Sequence, residues 1–176
     1  MAELMDASLN DSQKDMFMTF TVGKETYGIE ISHIIEIIGM QEYTEVPEMP
    51  DYIKGIINLR GNIIPLMDVR LRFRMEPRPY DDRTCVIVTV VDTVLVGLIV
   101  DRVVEVQTID DEQIAPPPGM FTEVSHAYLS GIGKMEDRVA LLLNCEKLFS
   151  ENELEEARVS LYAGLKNFET TEEIKN

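Results

Sequence analysis

The sequence predicts an all-β protein made of two small five-stranded barrels that pack together. Val, Ile and Leu are plentiful among the 45% apolar residues, while Trp is absent, and this mixture favours strands around an aliphatic core. The chain also repeats itself, and its short apolar stretches alternate with turn signals, which is typical of sandwiches and barrels. A length of 176 residues suits one domain or two small lobes that share a core.

The first element is a hairpin that occurs twice. FMTFTVGKETYGIEISHIIEI (Phe17–Ile37) aligns with VIVTVVDTVLVGLIVDRVVEV (Val86–Val106) over 21 residues without a gap. Each copy predicts a strand, a turn and a second strand. Gly28 and Gly97 occupy the same place in the two copies, inside apolar runs where glycine weakens a strand. We therefore expect a bulge or a sharp bend at each glycine, as a small barrel needs in order to close.

The second element is another repeated hairpin, followed by a short helical turn. YIKGIINLRGNIIPLMDVRLRF (Tyr52–Phe73) aligns without a gap with YLSGIGKMEDRVALLLNCEKLF (Tyr128–Phe149). Pro65 lacks a backbone N–H, so we expect its strand to lie at a sheet edge or to bulge there. Two copies are too few for a solenoid and indicate a pair of duplicated lobes.

Arg60 and Gly61 form the predicted tip of the first copy of this second hairpin. Glycine supplies the positive φ of a tight two-residue turn, so the Arg60 side chain should face solvent. The corresponding tip is Glu136-Asp137, which predicts opposite charge at the two tips. Two roles for Arg60 remain open: a surface ion pair with a nearby acid, or a planar fork that holds a carboxylate of a partner.

Both ends of the chain differ in character from the repeats. Residues 1–15 are polar and non-periodic and predict a disordered arm without the apolar region of a signal peptide. Residues 150–168 begin with a capping box, Ser150 and Glu153, and carry apolar residues at three- and four-residue steps, which predicts an amphipathic helix. That helix could pack on its own chain or serve as a docking helix. Residues 169–176 are expected to fray.

Charge and cysteine content limit the classes of partner and compartment. The formal charge is −16, so nucleic acid and anionic membrane surfaces are poor partners, although solubility alone also explains much of the charge. No apolar run reaches the length of about 18 residues that spans a bilayer. Cys85 and Cys145 form no C-x-x-C motif and suit a reducing cytoplasm. The sequence therefore predicts a soluble cytoplasmic protein.

The sequence contains no recognisable catalytic constellation, metal cage or cofactor motif. His33 and His126 are far apart in sequence, and no H-E-x-x-H motif or phosphate-binding loop accompanies them. The residues that the copies share are nearly all apolar or glycine, so the shared pattern encodes a fold. We expect neither enzymatic activity nor a cofactor.

One set of aliphatic residues recurs around an acid in both copies. The first copy carries Ile34, Ile35 and Ile37 around Glu36, and the second carries the equivalents Val103, Val104 and Val106 around Glu105. These residues could all be core. Alternatively, some of them line a groove that receives the apolar helix of a partner.

Three stretches, GIINLRGNIIPLMDVRLRF, GLIVDRVVEV and YLSGIGKMEDRVALLLNCEKLF, resemble the CheW family of chemotaxis coupling proteins. The resemblance covers roughly residues 16–149 and continues into the capped helix. It implies two intertwined five-stranded barrels like Src-homology-3 domains, with no enzymatic activity. It also implies an adaptor that joins the cytoplasmic tips of chemoreceptors to the CheA histidine kinase, and so recruitment to membrane-associated receptor arrays.

The resemblance also implies a receptor-binding groove, and it names no kinase-facing residue. Position by position, the groove residues would be Ile34, Glu36, Gly55, Arg60, Gly97, Val103 and Val106. Arg102 departs from the small residue that is common at this position in the family, which could alter the polarity of the groove.

Alternatives to a free-standing coupling protein remain open. The chain stops about 27 residues after Phe149, which is too short for an appended receiver domain. From other classes, a small barrel that binds or hydrolyses a ligand would show a closed pocket with convergent polar groups and shifted pKa values. An interaction scaffold unrelated to chemotaxis is the third hypothesis.

Overall fold

A computed structural model of the chain describes residues 14–118 and 128–149. Most of the predicted N-terminal arm (residues 1–13), the predicted helix 150–168 and the tail 169–176 lie outside the described residues, as does His126. The described residues form eleven strands and two one-turn α-helices.

The strands follow the predicted hairpins closely. The first half of the chain contributes β1 (Met16–Val22), β2 (Glu25–Glu30), β3 (Ile34–Gly39), β4 (Ile53–Leu59) and β5 (Asn62–Asp68), then the helix α1 (Val69–Arg72). The second half contributes β6 (Cys85–Val91), β7 (Val94–Val100), β8 (Arg102–Thr108), β9 (Ile114–Ala115), β10 (Leu129–Lys134) and β11 (Val139–Leu143), then α2 (Cys145–Leu148). Asp68 and Asn144, which are equivalent in the two copies, cap α1 and α2 with their side chains.

The two sheets do not correspond to the two sequence repeats. One sheet has the order β8-β1-β2-β11-β10-β9 and the other has the order β3-β6-β7-β5-β4. Each sheet therefore combines a hairpin from one copy with a hairpin from the other, joined by parallel pairing of β2 with β11 or of β5 with β7. The predicted all-β class with intertwined lobes is confirmed. The predicted count of five strands holds in one sheet, and the short β9 adds a sixth to the other.

The core has a shared layer between the sheets and a smaller cluster in each lobe. Along β7, Val94, Val96, Leu98 and Val100 face the shared layer, whereas Leu95 and Ile99 face the interior of their own lobe. Alternate residues of a strand point to opposite faces, so both faces of β7 are buried. This explains why β7 reads as a continuous apolar run.

Gly28 and Gly97 lie where the two hairpins of each sheet meet. The ladders run through Thr19–Gly28 and Val88–Gly97 without a register shift, so neither glycine lies at a bulge, and of the two expectations the sharp bend stays a prediction. The reason for glycine is close packing. A Cβ at Gly97 would lie 2.7 Å from Cδ2 of Leu66, its neighbour on the parallel strand.

β5 is an interior strand of its sheet, so the strand of Pro65 is not an edge strand as predicted, although Pro65 itself lies at a position that is unpaired on one side. It pairs in register with Ile56 of β4, and the parallel pairing of β5 with β7 begins only at Leu66. On that side Pro65 has no neighbouring strand, and the missing N–H breaks no ladder there.

Candidate functional site

The hairpin between β4 and β5 ends in a two-residue turn at Arg60 and Gly61. Both have positive φ, 53° and 87°, which are the values of a type I′ turn. The Asn58 Oδ1 accepts a hydrogen bond of 2.9 Å from the Gly61 N–H and braces the turn. The predicted tip and its outward-facing guanidinium are confirmed, since the Arg60 side chain is 73% exposed.

Arg60 forms a two-point ion pair with Glu36 of β3. Its Nη1 and Nη2 donate to Oε1 and Oε2 of Glu36 at 2.6 and 2.9 Å. Of the two roles left open for Arg60, the structure shows the surface ion pair within the chain. The hydrogen bond and charge of Glu36 raise the pKa of Arg60 further, so the guanidinium carries its charge at any physiological pH.

This ion pair joins opposite sides of one sheet. β3 is one outer strand, while Arg60 connects β4 and β5 on the other side. In a flat sheet three or four strand spacings would separate them by about 14–19 Å, so a contact of 2.6 Å requires a curled sheet. A backbone bridge between Thr44 and Ile56 closes the outer edge of β4 in the same lobe. The pair therefore spans the closed lobe from one side of the sheet to the other.

The second copy contains the same device in a looser form. Glu105, the equivalent of Glu36, lies on the outer strand β8 with its carboxylate 3.8 Å from Nη2 of Arg138 at the β10–β11 tip. The tip that carries Glu136 and Asp137 therefore also presents a cation, Arg138, to the outer strand β8. Arg138 aligns with Asn62, two places beyond Arg60, and a search for a cation within two positions of the aligned tip would have found it.

The recurring aliphatic residues divide between core and surface. Ile34 and Val103 are half-buried and pack against the shared core at equivalent positions of the two copies. Ile35 and Val106 remain 56% and 42% exposed. Ile35 is the extra residue of a bulge between Ile34 and Glu36, where the register with β6 shifts. Both alternatives hold in part, because each strand presents one exposed aliphatic side chain and keeps others half-buried.

The two glycines named by the resemblance serve as spacers. A Cβ at Gly55 would lie 2.2 Å from the Thr44 carbonyl oxygen, in the bridge that closes the lobe. Gly97 is buried inside the same lobe. The structure thus brings Glu36 and Arg60 into contact, sets Gly55 against Thr44, and leaves Ile34 and Val103 on the shared core. Val106 lies on the other sheet, and Gly97 reaches no surface.

A second cluster of charges surrounds Asp101, at the end of β7. Arg70 donates from Nε and Nη2 to the two carboxylate oxygens at 2.9 and 2.5 Å, and the Gly23 N–H donates at 2.8 Å. Burial pushes the pKa of Asp101 upward, but these hydrogen bonds and the charges of Arg70 and Arg78 outweigh it, so the pKa is lowered. Gly23 lies in the β1–β2 turn of one sheet and Arg70 follows β5 of the other, so this carboxylate joins the two lobes.

The cleft around Asp101 is lined by Asp68, Arg70, Arg78, Tyr80, Asp81 and Thr84, among others. Tyr80 donates to Asp68 at 2.7 Å, and burial followed by this hydrogen bond raises the pKa of Tyr80. The polar groups that line the cleft therefore bond to one another. In residues 14–118 and 128–149 every buried side-chain nitrogen and oxygen has a hydrogen-bond partner.

The remaining titratable side chains add no metal or redox site within the described residues. No group of three His, Cys, Asp or Glu side chains among them could hold a metal ion. Cys85 and Cys145 are free thiols, and burial raises the pKa of Cys145 to about 12. His33 lies 3.4 Å from Glu30 on the surface. In the same part of the chain, no helix has the length and apolar character to cross a membrane.

Comparison with known proteins relates this arrangement to one family. Residues 16–153 match the CheW-like domain. The chain is 40% identical over 138 residues to a chemotaxis protein CheW of Klebsiella aerogenes, covering 78% of this chain and 83% of that protein. It is 33% identical to the chemotaxis protein CheW of Helicobacter pylori, covering 84% and 92%. The crystal structure of a scaffolding protein, TtCheW from Thermoanaerobacter tengcongensis, superposes with a TM-score of 0.74 at 35% identity, covering 79% and 94%.

Proposed function

Because this chain belongs to the CheW-like family of chemotaxis scaffold proteins, we propose that it couples the cytoplasmic tips of chemoreceptors to the histidine kinase CheA. It acts without catalysis, in the cytoplasm, on receptor arrays to which it is recruited. Support comes from the family match over residues 16–153, which spans both sheets. An adaptor needs a stable fold with separate contact surfaces, and two interlocked lobes provide them.

The observation that carries the receptor-binding part of this proposal is the Glu36–Arg60 pair with its exposed neighbour Ile35. An exposed aliphatic side chain next to an exposed guanidinium fits an amphipathic helix that offers apolar residues and an acid. Of the residues that the resemblance named, Glu36 and Arg60 would form this surface and Ile34 would border it, whereas Val103 and Val106 lie on β8 of the other sheet. Gly55 and Gly97 would act through packing.

The proposal is tested by a binding assay between this chain and a purified cytoplasmic fragment of a chemoreceptor. We expect Arg60→Glu to weaken binding by about tenfold, because it repels Glu36 and removes the donor fork. Circular dichroism should show an intact fold. The matched control is Arg138→Glu, the same change in the equivalent pair of the other lobe, which should leave receptor binding near its original strength.

A charge swap separates direct contact from support of the lobe. If Arg60 only holds β3 in place, Arg60→Glu combined with Glu36→Arg restores binding. If Arg60 binds an acid of the receptor, the swap does not restore it. Equal binding by the original chain, Arg60→Glu and Arg138→Glu would contradict a receptor site at this tip.

A further inference from the structure

A stretch of local positive charge interrupts an otherwise acidic chain. Residues 70–83, which start in α1 and lead to β6, contain five arginines against three acids, in a protein of net charge −16. We call residues 70–83 the arginine connector. In so acidic a protein, a positive surface segment attracts acidic segments of the chain itself.

Two of these arginines are already engaged by the fold. Arg70 is paired with Asp101. The Arg72 guanidinium lies over the rings of Tyr52 and Tyr128, at 4.5 and 5.0 Å from their centroids. Both therefore serve the packing between the two copies.

The other three arginines are exposed. Arg78 reaches Asp81 and Asp101 only at 3.5 and 3.6 Å, with 54% of its side chain exposed. Neither Arg74 nor Arg83 forms an ion pair with any residue of the described part of the chain. The connector thus presents guanidinium groups to solvent with room for further carboxylates.

The chain continues beyond residue 149 right beside this connector. Arg72 donates from Nε to the Leu148 carbonyl at 2.9 Å, and Phe149 is buried in the shared core. The next seven residues, SENELEE, contain four glutamates and no base. An extended chain covers about 3.4 Å per residue, so residues 151–156 begin within roughly 7–24 Å of Phe149.

We propose that residues 150–168 dock back on their own chain, with the glutamates of the first turns bound to the arginine connector. On a helix of 3.6 residues per turn, Leu154, Leu161 and Leu165 share one face. Glu151 and Glu153 flank that face, while Glu156 lies nearly opposite. The apolar face therefore covers the protein beside α1, and Glu151 and Glu153 lie within reach of Arg74 and Arg78.

The chain's own segment is the occupant that the geometry favours over a second molecule. It is tethered a few residues from the connector, and a short tether gives an effective concentration in the millimolar range. Its charge is complementary to the connector. This inference does not depend on receptor or kinase binding.

Hydrogen–deuterium exchange of the full-length chain, read on peptides that cover residues 150–161, tests the docking. We expect Arg74→Glu and Glu151→Arg each to accelerate exchange in these peptides by about two- to fivefold. The combined variant restores slow exchange, because it rebuilds the pair with reversed charge. Glu156→Arg is the matched control, with the same charge change on the opposite helix face, and it should leave the exchange rates unchanged. Raising the salt concentration should accelerate exchange in the original chain.

Three outcomes would overturn this inference. Unchanged exchange in both Arg74→Glu and Glu151→Arg would show that the proposed contact does not form. Failure of the combined variant to restore protection would show that Glu151→Arg acts only on the helix end, where a cation is unfavourable. Slower exchange in these peptides at higher protein concentration would show that the arginine connector binds residues 150–168 of a second copy.

Discussion

The glycine positions offer the sharpest test of the fold, because four glycines meet very different surroundings. A Cβ added at Gly97 would lie 2.7 Å from both Leu66 Cδ2 and Val86 Cγ1, and at Gly28 it would lie 2.9 Å from Leu142 Cδ2. At Gly55 it would lie 2.2 Å from a backbone oxygen, and at Gly39 nothing lies within 4 Å. We therefore expect the loss of stability on substitution by alanine to follow the order Gly55, Gly97, Gly28, Gly39.

The magnitudes follow from how far the neighbours can yield. Carbon atoms pack at about 3.5–4.0 Å, so the Cβ of Gly97→Ala would be roughly 1 Å closer to Leu66 and Val86 than normal packing allows. Leu66 and Val86 are fully buried and cannot swing into solvent. Overpacking of this kind costs about 1–3 kcal/mol, and we place Gly97→Ala at about 2–3 kcal/mol and Gly28→Ala, with one clash, at about 1 kcal/mol. Gly55→Ala should exceed about 3 kcal/mol, because backbone cannot move aside as a side chain does.

Denaturant unfolding followed by far-ultraviolet circular dichroism measures these differences. For a chain of this length 1 kcal/mol corresponds to about 2–4 °C in Tm, so Gly97→Ala should melt roughly 4–12 °C lower. The control Gly39→Ala should stay within about 0.5 kcal/mol of the original chain. Equal stability of Gly97→Ala and Gly39→Ala would refute the spacer role. If Gly97→Ala weakened receptor binding without loss of stability, Gly97 would instead belong to the receptor-binding surface.

Three further predictions concern charge and turn strain. Asp101→Asn should cost about 2 kcal/mol at pH 7, because Arg70 loses a charged partner at a partly buried site. The folded pKa of Asp101 is lowered, so its contribution is complete above the unfolded value of about 3.9 and is lost as the pH falls through the folded pKa. The free energies of unfolding of the original chain and of Asp101→Asn should therefore converge below about pH 4 and differ between pH 5 and 8. A difference that stays constant with pH would contradict the pairing. Thr93 has φ of 69° in the β6–β7 turn, so Thr93→Gly should stabilise the chain by about 0.5–1 kcal/mol in thermal unfolding, and a loss would show that the side chain's contacts outweigh the strain. Arg138→Ala should cost at most about 1 kcal/mol, since its ion pair is half exposed and 3.8 Å long; a larger loss would mean that this lobe depends on the pair.

Much of the fold followed from local patterns in the sequence. The short apolar runs between turn signals, the repeated hairpins and the Arg60-Gly61 turn depend on neighbours within a few residues, and all appear in the structure. The expected bulge at Gly28 and Gly97 is absent, and the expected edge at Pro65 holds only for that residue and not for its strand. The reason is common to both: glycine and proline in a strand have several causes, and only the neighbouring strand decides among them.

The candidate functional site likewise combines residues that the sequence named with contacts that only the fold creates. Glu36 and Arg60 were both named from the sequence through the family resemblance, yet their pairing with each other depends on the curl of the sheet. Arg138 was missed because alignment placed Asn62 opposite it, although side-chain reach makes a shift of two positions unimportant.

By itself the amino-acid sequence determined the four hairpins, their turns, the duplication and the family, since these depend on short-range patterns and on residue identity. Only the tertiary structure decided which hairpins share a sheet, which glycines are spacers and which acid each arginine meets. Such contacts can join residues from opposite halves of the chain, as Gly28 and Leu142 do across β2 and β11, and no local pattern records the distance between them.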